Sequence, residues 1–102
     1  MLLSIPIGVI MENEKLECAK VFVYLLDEED KKRQVTFLVE KEKAEKMYIF
    51  AERVCQKEHI NYDMVGFGIT KYDPKEEYLV NEKYIYATLT GKTYQQEEEQ
   101  SL

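Results

Sequence analysis

Histidine is almost missing from this chain: His59 is the only one in 102 residues. A metal centre draws several His, Cys or carboxylate ligands at chelating spacing, and His59, flanked by Glu58 and Asp63, offers none. A lone histidine closing a helix is explained by favourable interaction with the last helical carbonyls. Cysteine is scarce too. Cys18 and Cys55 are too few for a disulfide framework and lack the CxxC spacing of zinc or redox sites. They read as buried reduced thiols, which pack like small apolar residues, with a single Cys18–Cys55 bridge left open. Nucleophilic catalysis needs a nucleophile, a base and an orienting group within hydrogen-bond reach. Ser4 and Ser101 sit near the ends, and Cys18 has only His59 as a candidate base. No catalytic, metal-ligating or cofactor-binding residues are therefore assigned, and a non-enzyme is expected.

Arginine is reduced to Arg33 and Arg53, and the net charge is −6. Non-specific nucleic-acid affinity comes from Lys and Arg neutralising phosphates, so direct nucleic-acid binding is disfavoured. Glu97, Glu98 and Glu99 carry −3 of the −6, which leaves residues 1–94 only mildly acidic. Glycine is sparse, and Gly66-Phe67-Gly68 lacks the third glycine and the following helix of a dinucleotide fingerprint. Glycines inside a strand mark a bulge or a close backbone approach instead. No apolar run reaches the roughly 18–20 residues of a membrane span. Met1–Ile10 is apolar, but it is broken by Pro6 and has neither a basic leader nor a small-residue cleavage site. A cytoplasmic protein is expected, in the host cytoplasm if the source is a virus.

What the chain does have is Glu, Lys, Ile and Tyr. Sixteen Glu against four Asp and twelve Lys against two Arg match the ion-pair-rich composition of hyperthermophiles. An A/T-rich genome supplies the same residues, and the two explanations stand level. No stretch carries a recognisable family motif; the composition resembles that of small viral or mobile-element proteins.

The patterning predicts one α+β domain over residues 1–94, with 95–102 as a disordered acidic tail. Ala19–Leu26 is apolar on both faces and reads as a central strand. Asp27–Arg33 is a charged turn whose basic cluster Lys31-Lys32-Arg33 protects a hairpin tip. Gln34–Val39 alternates, with Val35, Phe37 and Val39 inward. Over about 40–58, Ala44, Met47, Tyr48, Ala51, Val54 and Cys55 form one stripe of an amphipathic helix. Ile49 points about 140° away from it at 100° per residue. Met64–Tyr72 reads as a strand, and Tyr78–Val80 with Lys83–Thr90 as a last, bent strand ended by Gly91. Met1–Ile10 is an edge strand or an apolar arm, and Met11 is a plausible second start codon. The expected architecture is a single antiparallel sheet of four to five strands, order β-β-β-α-β-β, with the helix packed on one face.

Eight tyrosines are the main excess. Tyr84 and Tyr86 would share one face of the last strand, where packing or a protein interface outranks base stacking. The expected function is a small interaction protein that self-associates or binds a host protein. Candidate interface residues are Ile5, Ile7 and Val9 of the arm, Ile49, Tyr84 and Tyr86. A nucleic-acid-associated protein, or an inhibitor of a host nucleic-acid-binding protein, is the alternative; an enzyme of unknown type ranks last.

Overall fold

The computed structural model describes residues 15–93. Within them the order is β1 (Leu16–Leu26), β2 (Lys32–Val39), α1 (Ala44–Lys57, entered through a 3-10 turn at Lys41–Lys43), β3 (Tyr62–Tyr72) and α2 (Glu82–Thr90). The strands form one antiparallel sheet, β2-β1-β3, with both helices on one face. The α+β class and the antiparallel sheet follow the sequence expectation. The count differs, with three strands among the described residues instead of four to five, and two helices instead of one. The apolar arm Met1–Ile10 and the tail 95–102 lie outside the described residues.

β1 occupies the centre because it is the strand with apolar side chains on both faces. Its odd positions Ala19, Val21 and Val23 are buried and face α1. Register sets Val21 against Phe37 of β2 and Phe67 of β3, and Ala19 against Val39 and Ile69. The buried stripe Ala44, Met47, Ala51, Val54 and Cys55 of α1 closes over this row. Full burial of residues such as Phe37 and Met47 contributes about 1.5–3 kcal/mol each.

Two left-handed residues turn the chain at the sheet's upper end. Asp30 (φ 65°) closes the β1–β2 loop, where the Asp27 carboxylate accepts from the backbone N–H groups of Glu29 and Lys31, both at 2.8 Å. Asp tolerates this conformation better than most residues. His59 (φ 57°) ends α1. The Ile60 N–H donates to the Cys55 carbonyl (2.8 Å) and the His59 N–H to the Gln56 carbonyl (3.3 Å). These are the two bonds of a Schellman cap. The only histidine is thus held at the helix end by backbone geometry.

The segment expected to be a final strand is a helix. Tyr, Ile and Thr between Lys83 and Thr90 favour strands, but the caps and the burial pattern favour helix. The Asn81 side chain accepts from the N–H groups of Lys83 and Tyr84, Gly91 takes the left-handed position after the last turn (φ 77°), and Ile85 and Leu89, four residues apart, are buried. Tyr78–Val80 is not a strand either, although the Val80 N–H donates to the Leu38 carbonyl on the outer side of β2 (2.8 Å). Among the described residues no helix is long and apolar enough to cross a membrane. Replacing the cap, Asn81→Ala, is expected to lower the urea unfolding free energy by about 1 kcal/mol; no loss would argue against the helix.

Candidate interaction surface

The even positions of β1 face away from the helices. There Phe22 and Tyr24 meet edge to face (centroids 5.8 Å), beside Lys20, Thr36 and Gln34. Gly66 of β3 lies opposite Phe22, and a Cβ built on it would come within 2.7 Å of the Phe22 ring. This is the close approach expected of a glycine within a strand. Gly68, one step further, has open space instead.

β3 carries the most exposed apolar surface on the helix side of the sheet. Phe67 is 41% and Ile69 57% exposed, although both share a face with the buried Val65. Tyr48 of α1 packs on Phe67 (centroids 5.2 Å), and Ile49 lies exposed next to it on the helix. Met64, 45% exposed, points to the opposite face with Tyr24. Among the described residues no strand pairs with the outer edge of β3. An edge of this length with exposed apolar side chains is a template for another strand.

The hydrogen-bond parity of that edge is fixed by two backbone bonds elsewhere. The Leu38 carbonyl accepts from Val80 on the outer side of β2, and the Leu26 N–H donates to Asn61 on the β3 side. Even residues of β2 therefore point away from β1, and even residues of β1 point toward β3. Across the β1–β3 register, Met64, Gly66, Gly68 and Thr70 bond inward. The N–H and C=O groups of Val65, Phe67, Ile69 and Lys71 then face outward.

The described candidate interface residues, Ile49, Tyr84 and Tyr86, are not gathered on one surface. Ile5, Ile7 and Val9 lie outside the described residues. Tyr84 and Tyr86 form no aromatic row, because a helix turns successive side chains by 100° each. Tyr84 is exposed and touches Phe37 edge to face (6.1 Å), while the Tyr86 hydroxyl donates to Glu58 (3.2 Å). Ile49 is exposed on α1, turned away from its buried stripe. Phe67 and Ile69 are functional candidates that the sequence did not single out; their signal was the Val65-Phe67-Ile69 alternation, which looks like core until β3 is known to be an edge.

Some basic side chains of the surface pair with carboxylates, as in Lys32–Asp63 (3.1 Å), Lys46–Glu82 (3.6 Å) and Lys92–Glu58 (3.4 Å). Lys41 donates to the Glu17 carboxylate at 2.7 Å, and this bond holds Glu17 below the ordinary carboxylate range. The two cysteines are free and buried on opposite faces of the sheet, Cys18 with the even positions of β1 and Cys55 under α1. Burial, and secondarily the Glu52 charge, pushes the Cys55 thiol up to about 11; burial first and the Glu77 charge second also raise Cys18.

Among the described residues no group of three or more His, Cys, Asp or Glu side chains is placed to hold a metal. The clefts are shallow. One of about 460 Å³ runs between Glu40, Met47, Val80 and Tyr84, and another of about 490 Å³ lies at the hairpin tip beside Asp27 and Asn61. Neither gathers convergent buried polar groups of the kind that orient a small ligand. No protein-family model, curated protein or solved structure matches the chain.

Two outcomes test this geometry. Gly66→Ala is expected to destabilise by about 1–3 kcal/mol through overpacking against Phe22, and Phe22→Leu should relieve it. Gly68→Ala, with nothing near its Cβ, should instead gain about 0.5–1 kcal/mol. Both thiols should resist an aromatic disulfide reagent at pH 8 and react once the chain is unfolded. Because the folded Cys55 thiol titrates above its unfolded counterpart, its stabilising share is complete below the ordinary thiol range. That share is lost as pH climbs through about 11.

Proposed function

We propose that this chain is a small non-enzymatic interaction protein that binds through the outer edge of β3 by strand addition. The observation that carries the reading is the coincidence, on one strand, of outward-facing backbone groups with the exposed side chains of Phe67 and Ile69. In strand addition main-chain bonds supply affinity, and alternate side chains supply specificity. Natural proteins protect such edges with charges, prolines or a covering element. Here Lys71 is the one charged residue between Met64 and Tyr72, and glycines keep the opposite face low. The net charge of −6 disfavours contact with phosphates, so a protein partner suits this edge better than a nucleic acid.

The test is a comparison of wild type with Ile69→Lys, each tagged and captured from a lysate of the organism that encodes the chain. Ile69 is already exposed, so the variant should keep the wild-type melting temperature while losing the proteins that wild type retains. Identical retained sets would overturn the reading.

A further inference from the structure

Taking that edge as the binding surface, we infer that its occupant is a second copy of this chain. The two β3 strands pair antiparallel about a two-fold axis through Phe67, and the two sheets become one of six strands.

Backbone parity comes first. A two-fold pair requires residues with outward amides to oppose residues with outward amides. With Phe67 opposite the partner's Phe67, Val65 meets the partner's Ile69, and both carry outward groups. Each such pair exchanges two bonds, about six in all. The intervening positions set Met64 against the partner's Thr70 and Gly66 against the partner's Gly68. These are non-hydrogen-bonded pairs, in which side chains approach most closely. The small glycines make that approach free of clashes between Cβ substituents.

The side chains agree with the same axis. With the axis at Phe67 the paired stretch runs from Met64 to Thr70, all of it within the regular part of β3 and clear of the bulge between Tyr62 and Met64. On the helix side it covers the exposed Phe67 with its own mate and the exposed Ile69 with Val65. Charge agrees with the antiparallel direction. Asp63, which also pairs with Lys32 at 3.1 Å, stands at the start of β3 and Lys71 near its end, so antiparallel pairing brings Lys71 toward the end of the partner strand that bears Asp63.

The helical layer fits as well. α1 contacts both β1 and β3, and a two-fold axis normal to the sheet keeps its mate on the same side of the joined sheet. The β3-side flank of α1 carries Tyr48, which rests on Phe67, with Glu52, Glu45 and Gln56 further round at 100° per residue. The contact therefore rests on the strand edge and the Tyr48–Phe67 cluster beside it.

The pairing is tested on the full chain with two single variants, Met64→Cys and Thr70→Cys. Opposed residues of a non-hydrogen-bonded pair lie about 4.5 Å apart at Cα, within disulfide reach. Under a mild oxidant the mixture of the two variants should form a covalent dimer, and neither variant alone should do so; the buried native thiols do not compete. A covalent dimer from Gly66→Cys or Gly68→Cys alone would mean a two-fold centred elsewhere and would overturn the Phe67 axis. Wild type supplies a measurement independent of any substitution. Exchange of the Val65, Phe67 and Ile69 amides should slow at least tenfold between micromolar and millimolar concentration, while sedimentation shows mass rising above 12.1 kDa. A monomer with concentration-independent exchange would overturn the second copy as occupant. It would leave the lysate comparison of Ile69→Lys to decide the edge reading by itself.

Discussion

Everything in this fold hangs on β1 being bonded along both sides. Its even amides and carbonyls are taken by β3, and its odd ones by β2. At the same time its odd side chains are sealed under α1. A one-residue slip of either neighbour would carry Phe37 and Val39, or Val65, out of the core and bring polar side chains in. The register is therefore held by burial as well as by hydrogen bonding. The sheet needs no disulfide to stay in place, and its two cysteines could not form one without crossing the sheet.

The rest of the molecule arranges itself around that strand. The hairpin tip is tied by a single carboxylate, Asp27, bonded to two loop amides. The turn out of α1 is set by His59 in a left-handed conformation that most residues avoid. After β3 the chain leaves the β3 side, touches the outer side of β2 at Val80, and rises into α2 beside α1. Tyr84 over Phe37 and the Lys46–Glu82 pair fix that last helix to both layers. Capping groups at Asn81 and Gly91 decide its extent.

Much of this is written plainly in the chain. The two-faced apolar run Ala19–Leu26 marks the central strand, the charged stretch after it marks the hairpin, and the stripe from Ala44 to Cys55 marks the helix and its buried side. Gly66 shows a close approach that the Phe22 ring explains. The stretch 82–90 is where local preference misleads. Its Tyr-Ile-Tyr-Ala-Thr alternation satisfies a period of two, while Ile85 and Leu89 satisfy a period of 3.6 on only two residues. The asparagine and glycine that flank it are the stronger signal, because they act on backbone groups that only a helix leaves unsatisfied. The β3 edge was hidden for a different reason. Val65, Phe67 and Ile69 have the composition of an interior strand, and neighbour order is a property of the whole topology, which no local pattern records.

The path of the chain between β3 and α2 has a further effect. By touching β2 at Leu38 it occupies a rung of that edge, and the opposite end of the same edge is guarded by the charged Lys32 and Arg33. The sheet thus has one edge suited to accepting a strand and one that resists it. Had both been open, each added copy would have offered a fresh end to the next, and association would run on into a filament. In the proposed pairing each copy would use the one open edge among its described residues, so growth would terminate at two.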